Sequence, residues 1–212
     1  MSQTSTPKRT RMTRAARREQ LIAVARELFA TQGFDAVSIE EIAAHAEVSK
    51  PVLYEHFGTK DGLYQVIIDR ELAALSDMLT VRMAPGTPVS KILEGIVLSL
   101  LDYIENDPDG FRLIAHQSPT TVSSSTFSTV MSDVGDEVAF HLEAHFKTLG
   151  FDVSHAPLYG HMLAGAIANA VLWWQADPSM PKEEATAHVI NLVYRGLHDL
   201  QHAPRLNRPS NN

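Results

Sequence analysis

The amino-acid sequence predicts an all-α protein, and three observations carry this prediction. Apolar residues recur at three- and four-residue spacing along most of the 212-residue chain, as one face of an α-helix requires. No stretch shows sustained alternation of apolar and polar residues between turn signals, which is the pattern of a half-buried strand. Prolines stand where periodic segments start, as in the first turn of a helix. The chain is long enough to bury a sizeable core, as one large domain or two small ones.

Composition excludes several classes of protein. The chain contains no cysteine, which rules out disulfides, thiolate catalysis and thiolate metal ligation. Its N-terminal segment is polar and basic with no apolar stretch behind it, so no secretory signal is predicted. No window approaches 18 uninterrupted apolar residues. We therefore expect a soluble cytoplasmic protein.

Charge is distributed unevenly along the chain, whose formal net charge is −7. Residues 1–60 hold nine Lys and Arg against seven Asp and Glu, whereas residues 61–212 hold nine against eighteen. A run of cations suits attraction to phosphate, but it also suits a solvated disordered tail, so the following residues decide between the two. Six cations precede the first acidic residue: Lys8, Arg9, Arg11, Arg14, Arg17 and Arg18.

Four helices are predicted in the first part of the chain. Ser38 and Glu41 form a capping box that starts the second helix. Ser49 can cap the third helix, whose first turn tolerates Pro51 because no intrahelical partner exists there for a backbone N–H. Thr59 starts the fourth helix, which is the longest of these four. The four helices are predicted over residues 14–32, 38–46, 49–57 and 59–83.

Five further helices are predicted after the segment APGTP at residues 84–88, which interrupts the helical pattern. Pro157 and Pro181 suit the first turns of the last two helices. The Ser- and Thr-rich segment 117–129 is predicted to be a mobile loop that runs into the seventh helix, and residues 204–212 a disordered tail. The five helices are predicted over residues 88–106, 108–116, 122–149, 157–176 and 181–202.

The functional signal lies in a helix-turn-helix over residues 38–57. A short amphipathic helix, a tight turn from Ala46 to Ser49 and a second short helix follow one another. Small residues such as Ala43 permit a close crossing, and Leu53 faces inward to lock the pair. The first helix braces the second, which is then able to enter the major groove of DNA.

The stretch SIEEIAAHAEVSKPVLYEHFGTKDGLY at 38–64 closely resembles the signature of the TetR family of transcriptional regulators. In that signature an Ala-x-Val-Ser turn leads to a Tyr-x-His-Phe recognition helix and then a lysine. With the first helix, the resemblance covers residues 14–75. It implies a basic N-terminal arm at 1–13, a DNA-binding domain at 14–58, a connecting helix at 59–83, a ligand-binding and dimerisation domain at 84–203 and the tail at 204–212.

The resemblance implies which residues of the recognition helix contact DNA. Lys50 is expected to supply a cation and Tyr54 a hydroxyl to a phosphate or base edge. Pro51 and Val52 are expected to meet thymine methyl groups. Ser49, at the start of this helix, completes the expected DNA-binding set.

Other expected DNA contacts lie outside the recognition helix. Ser38, His56 and Lys60 are expected at the DNA backbone, although a hydrogen bond at the helix end explains His56 equally well. Arg11 and Arg14 are expected to reach the minor groove, as basic arms do.

Glu47 departs from the family pattern, which commonly places Gly at this turn. A left-handed conformation there costs a non-glycine residue about 1–2 kcal/mol. A carboxylate near phosphates also adds repulsion unless it points away. Glu47 therefore affects the expected geometry of the turn, but the helix-turn-helix prediction does not depend on it.

The C-terminal domain resembles the family in its helical pattern. The family implies an effector pocket within helices five to seven, and a homodimer interface from the helices near 157–176 and 181–202. Dimerisation also follows from geometry, because one short helix contacts only a half-site. Four small residues at helical spacing suit close packing against a partner: Gly160, Ala164, Gly165 and Ala168.

Candidate effector-binding residues are mostly apolar or aromatic, and a plain core role is the alternative for each. Segments 111–117 and 173–185 are similar to actinobacterial lipid-metabolism regulators of the FasR kind, which respond to long-chain acyl-CoA. We therefore expect a small lipophilic effector, such as a fatty acyl derivative. The candidates are Tyr103, Phe111, His116, Phe127, Met131, Met162 and Trp173.

The sequence thus predicts a ligand-responsive regulator: a repressor that binds a palindromic operator as a dimer and is released by its effector. An activator of the same fold is the alternative. A histidine-rich metal-binding protein is a further option, since His141 and His145, and likewise His198 and His202, share a helix face, but neither pair has a third ligand. No nucleophile elbow, phosphate loop or H-E-x-x-H motif supports an enzyme, and no cofactor or metal is expected.

Overall fold

The structure, a computed structural model, describes residues 12–115, 126–202 and Pro204. These residues form nine α-helices, two single turns of 3-10 helix and the connecting turns, with no strand among them, so the all-α prediction is confirmed. The helices are α1 (Arg14–Gln32), α2 (Ile39–His45), α3 (Lys50–Phe57), α4 (Lys60–Thr80), α5 (Val89–Asn106), α6 (Pro108–Ala115), α7 (Phe127–Leu149), α8 (Ala156–Ala176) and α9 (Lys182–His198).

The chain divides into two compact units. The described residues up to Ile68 belong to the first unit and those from Asp69 onward to the second, so α4 contributes to both. In the described part of the chain, no helix combines the length and apolarity needed to span a membrane.

The first unit is built around the apolar face of α1. Leu21, Ala25 and Phe29 are buried on one side of this helix. The ring of Tyr64, near the start of α4, lies edge-on to Phe29 with centroids 5.3 Å apart, and its centroid is 4.7 Å from that of Phe34. Aromatic pairs at such separations stabilise a core beyond their buried area. The start of α4 is therefore anchored to α1.

The second unit contains a close contact between α7 and α8. A Cβ atom added at Gly160 would lie 2.4 Å from the carbonyl oxygen of Gly135 and 2.8 Å from the backbone nitrogen of Ala139. Glycine at this position therefore lets the two backbones approach each other. The prediction that Gly160 packs against a partner is wrong, because α7 of the same chain covers it. Ala164, one turn later, is also buried within the chain.

Two contacts anchor the start of α9. The Lys182 ammonium lies 2.7 Å from a carboxylate oxygen of Asp102 and 2.6 Å from one of Glu105, both on α5. Hydrogen bonds to these two carboxylates raise the pKa of Lys182. The indole N–H of buried Trp174 donates to the carbonyl of Met180 at 2.7 Å, which closes the turn between α8 and α9.

The fourth helix ends earlier than the periodicity predicts. α4 stops at Thr80, and Val81–Met83 form a 3-10 turn. Ala84 is extended, with φ −58° and ψ 143°. This conformation follows because the residue before a proline, here Pro85, is disfavoured in the helical region.

Two further boundaries differ from the predictions. α7 begins at Phe127, and Thr126 Oγ accepts from the Thr129 N–H at 3.1 Å; the predicted start at 122 lies outside the described residues. α9 ends at His198 and not at 202, because the chain leaves the helix and stacks the His202 ring on Phe151, with centroids 4.2 Å apart. Outside the described residues lie most of the predicted loop 117–129, most of the N-terminal arm and nearly all of the tail.

Candidate nucleic-acid interface and ligand site

The start of α2 is capped as the sequence predicts. Ser38 Oγ accepts a hydrogen bond from the backbone N–H of Glu41 at 3.1 Å, which is one half of a capping box. The other half is absent, because the Glu41 carboxylate accepts instead from the Gln32 side-chain amide at 2.9 Å. This second bond ties α2 to the end of α1.

The turn between α2 and α3 is fixed by backbone and side-chain hydrogen bonds. The Val48 N–H donates to the carbonyl of Ala43 at 2.9 Å. The Gln20 amide on α1 donates to the carbonyl of Ala46 at 3.2 Å and accepts from the Arg17 guanidinium at 2.7 Å. α1 therefore holds the turn that sets the direction of α3.

The third helix presents its predicted DNA-contacting side to solvent. Leu53 is fully buried, so the prediction that it faces inward is confirmed. Ser49 is the N-cap residue in extended conformation, but its hydroxyl makes no cap hydrogen bond. On the outer side, Val52 is half-buried and the other candidates are exposed: Ser49, Lys50, Pro51 and Tyr54.

Charge on this surface is partly paired. The Lys50 ammonium forms an ion pair with the Glu40 carboxylate of α2, and both side chains are at least half exposed. The hydrogen bond from Lys50 lowers the pKa of Glu40, so that this carboxylate stays ionised. The Lys60 ammonium instead lies 4.2 Å from the centre of the Phe34 ring, a cation–π contact with a neutral group.

The remaining DNA candidates flank α3. His56 is half-buried in its last turn, with its ring centroid 5.9 Å from that of Phe57. Arg14 is exposed as the first residue of α1. Ser38 is exposed at the start of α2. Arg11 lies outside the described residues.

Glu47 has a φ of 52°, and it is the one non-glycine residue with positive φ in the described ranges. This is the left-handed conformation, which glycine adopts without strain. A Cβ atom makes that conformation unfavourable, so the turn stores local strain.

We expect Glu47→Gly to be about 1 kcal/mol more stable to unfolding than Glu47→Ala, because glycine adopts this φ without a Cβ clash. The Ala variant is the matched control, since it loses the same carboxylate and keeps the Cβ. Urea denaturation measures both free energies. Equal stability of the two variants would contradict strain at this turn.

Four candidate ligand residues lie together in the second unit. The rings of Tyr103, Phe111 and Phe127 form an edge-to-face series, with centroids 6.2 Å and then 5.4 Å apart. Phe111, Phe127 and Met131 are buried, and the Tyr103 hydroxyl donates to the Glu71 carboxylate at 2.9 Å. This aromatic cluster joins α5, α6 and α7.

Phe127 and Met131 also line a groove of about 390 Å³ between α7 and α8. Its remaining lining combines small, polar and apolar side chains: Ser128, Ser132, His161, Ala164, Gly165, Ala168, Asn169 and Leu172. Mixed lining of this kind, with a few hydrogen-bonding groups in an apolar cleft, is typical of small-molecule sites.

Two other candidate effector-binding residues lie away from the aromatic cluster. Met162 and Trp173 are on the outer face of α8, with 59% and 57% of their surfaces exposed. Trp173 also borders a small apolar cavity of about 130 Å³ with Trp174 and Met180. His116 lies outside the described residues.

The paired histidines are drawn into separate contacts. His141 Nε2 lies 3.1 Å from the carbonyl oxygen of Met83, and the His202 ring stacks on Phe151. His145 and His198 line one surface groove. Among residues 12–115 and 126–202, no three His, Cys, Asp or Glu side chains are grouped as metal ligands.

Sequence reasoning missed three residues that shape the DNA-binding unit: Gln20, Glu40 and Gly62. A Cβ atom at Gly62 would lie 2.4 Å from the carbonyl oxygen of Phe57, so only glycine fits the corner between α3 and α4. Glu40 and Lys50 carry opposite charges in the first turns of α2 and α3, which was the available signal for their pairing. The Gln20 contact had no such signal.

Comparisons with known proteins agree with this geometry. A family model described as "Bacterial regulatory proteins, tetR family" matches residues 21–67. The chain is 29% identical over 189 residues to the transcriptional activator FasR of Mycolicibacterium smegmatis, covering 88% of this chain and 85% of that relative. It is 24% identical over 190 residues to the transcriptional repressor KstR2 of Rhodococcus jostii, covering 87% and 92%. A solved TetR-like regulator from Rhodococcus sp. RHA1 matches with a TM-score of 0.73 and 25% identity, over 90% of this chain and 100% of that one.

Proposed function

We propose that the chain, whose residues 21–67 match the tetR family model, is a ligand-responsive transcriptional regulator of the TetR family and a homodimeric repressor of a palindromic operator. The observation that carries this proposal is the outer face of α3. Lys50 and Tyr54 lie there side by side, while Leu53 fixes the helix from within. A helix presented in this way fits the major groove, where side chains contact base edges and phosphates.

Tyr54→Ala is expected to weaken operator binding by roughly 10- to 100-fold, the range for losing one good groove contact. Because 48% of the Tyr54 surface is exposed, the melting temperature and the mass of the dimer are expected to stay unchanged. Fluorescence anisotropy with the upstream region of the protein's own gene measures the affinity. Tyr54→Phe separates the contribution of the hydroxyl to affinity from that of the ring. Full operator affinity in the Ala variant would contradict the DNA-contacting face assigned to α3.

A second copy of the chain is proposed to bind on the outer face of α8 and α9. Leu158, Met162 and Trp173 repeat at helical spacing along α8 and are exposed. Leu192 is exposed on α9, one turn after His188, which lines a cavity with Trp173 of α8. Gly165 lies on the same face of α8, and a Cβ there would meet nothing within 4 Å. Exposed apolar side chains on the outer faces of two helices favour association with a partner.

The regulator could act in two ways, by repressing or by activating transcription. The repressor KstR2 supports repression, and the more similar FasR, an activator, supports activation. The DNA contacts proposed for α3 suit repression and activation alike, so a promoter fused to a reporter gene distinguishes them. Higher expression after deletion of the regulator supports repression, whereas lower expression supports activation.

We further propose that the effector is small and lipophilic, of the fatty acyl class, and binds at the aromatic cluster. The series Tyr103, Phe111 and Phe127 supplies apolar surface, and the adjoining groove supplies the hydroxyls of Ser128 and Ser132 for a polar end group. An effector alters DNA binding only through different affinities for the two states of the protein.

The 3-10 turn that follows α4 is bonded to two helices of the second unit. Arg82 Nε donates to Ser99 Oγ of α5 at 2.8 Å, and the His141 ring of α7 contacts the carbonyl of Met83. Both helices that hold this turn also carry residues of the aromatic cluster. We infer that displacement of α5 or α7 by an effector is passed to α4 through these two bonds.

Phe127→Leu is expected to lower effector affinity about 10-fold, because it removes the ring while keeping an apolar side chain. Phe140→Leu on the same helix is the control, since Phe140 is exposed and outside the cluster. Thermal stabilisation by acyl-CoA of graded chain length measures binding. Equal responses of both variants would contradict an effector site at Phe127.

A further inference from the structure

The pair between Lys50 and Glu40 has an unusual position for an ion pair, because it lies on the surface proposed to meet DNA. Lys50 is the first residue of α3, and Glu40 belongs to the first turn of α2. At least half of each side chain is exposed to solvent. Exposed pairs of this kind contribute little to stability, typically about 0–1 kcal/mol, so the pair separates at low cost.

The partner of Lys50 differs from those of Lys60 and Arg17. Lys60 lies over the Phe34 ring, and Arg17 donates to the neutral Gln20 amide. These groups keep the full positive charge of their cations available to phosphate. Glu40 is ionised, with a pKa lowered chiefly by the hydrogen bond from Lys50, and it cancels the Lys50 charge in the free protein.

We propose that Glu40 is a positioning residue for Lys50: it holds the ammonium in the free protein and yields it to a DNA phosphate on docking. This inference rests on the proposed function. Phosphate contacts are independent of sequence, so the exchange restrains binding to DNA in general. Arbitrary DNA must overcome the same competition without the base contacts that an operator offers. The pair therefore lowers the affinity for operator and non-operator DNA by the same factor and leaves their ratio unchanged.

The test is the salt dependence of DNA binding by full-length Glu40→Gln. The variant removes the competing charge and keeps the side-chain shape. We expect affinity for both operator and random duplex to rise about 3- to 10-fold near 0.1 M salt, because the Lys50 ammonium no longer has to leave a carboxylate when it contacts phosphate. The slope of log K against log salt is expected to change by less than about 0.9, the value for one phosphate contact, because Lys50 contacts phosphate in both proteins.

Glu41→Gln is the matched control. It makes the same change of charge one residue later, but the Glu41 carboxylate accepts from the Gln32 amide and not from a cation. Its affinity for both duplexes is expected to remain that of the unmodified protein. In the double variant Glu40→Gln/Lys50→Gln, the gain from Glu40→Gln is expected to vanish, since no ammonium is left to release.

Three outcomes would overturn the inference alone: weaker binding by Glu40→Gln, equal effects of Glu40→Gln and Glu41→Gln, or tighter binding confined to the operator. The first would mean that Glu40 aligns Lys50 for DNA, and the last that Lys50 contacts a base. Failure of the unmodified protein to bind either duplex would overturn the proposed function, and the inference with it.

Discussion

Leu192→Glu is expected to convert the protein to a monomer whose operator affinity is at least about 100-fold lower. Leu192 is 74% exposed on α9, one of the two helices proposed to form the interface. A two-fold interface would place the new carboxylate of each copy in apolar surroundings, where an unpaired charge is strongly unfavourable. A monomer then binds one half-site and loses the gain from holding both at once.

The matched control for this prediction is Val81→Glu. Val81 is also 74% exposed, but it lies in the 3-10 turn after α4 and outside the proposed interface. It is expected to remain a dimer with full operator affinity. Light scattering gives the mass of each variant, and anisotropy gives its affinity. A dimeric Leu192→Glu protein with unchanged DNA binding would contradict the proposed interface.

Gly160→Ala is expected to destabilise the protein by about 1–3 kcal/mol, although alanine is the better helix former. The added methyl group would meet the backbones of Gly135 and Ala139 on α7 at 2.4 Å and 2.8 Å, so the two helices must move apart. Packed backbone yields less readily than a flexible side chain, and the cost is overpacking.

Gly165→Ala is the control on the same helix. Within one chain a Cβ there meets no atom within 4 Å, so when both variants are made in the monomeric Leu192→Glu background only the helix propensity acts, and stability is expected to rise by about 0.5–1 kcal/mol. Urea denaturation at one protein concentration compares the two. Opposite signs support the α7–α8 contact, whereas two stabilised variants would contradict it.

Local patterns predicted much of the DNA-binding unit. Helical periodicity placed α1 at residues 14–32, and the capping residues Ser38 and Thr59 marked the starts of α2 and α4, where Thr59 Oγ accepts from the Gly62 N–H at 2.9 Å. These features depend on residues within one or two turns of each other, which is why the sequence alone identified them.

Features that depend on tertiary packing were harder to predict. Gly160 and Gly165 have the same chemistry and occupy one helix, yet the first packs within the chain and the second is open. Met162 and Trp173 were indistinguishable from core residues, because apolar character does not reveal which face of α8 is covered. The pairing of Glu40 with Lys50 depends on how α2 and α3 cross, which sequence spacing does not specify.

The central claim is that two copies of this chain hold a palindromic operator through their α3 helices. Its most direct test is anisotropy of the unmodified protein on duplexes that carry two inverted half-sites, one half-site or a scrambled sequence. Half-site centres are set about 34 Å apart, one turn of DNA. The expected result at moderate salt is one dimer per palindrome, with binding far weaker to a single half-site and weakest to the scrambled duplex. Equal affinity for all three duplexes would contradict the claim.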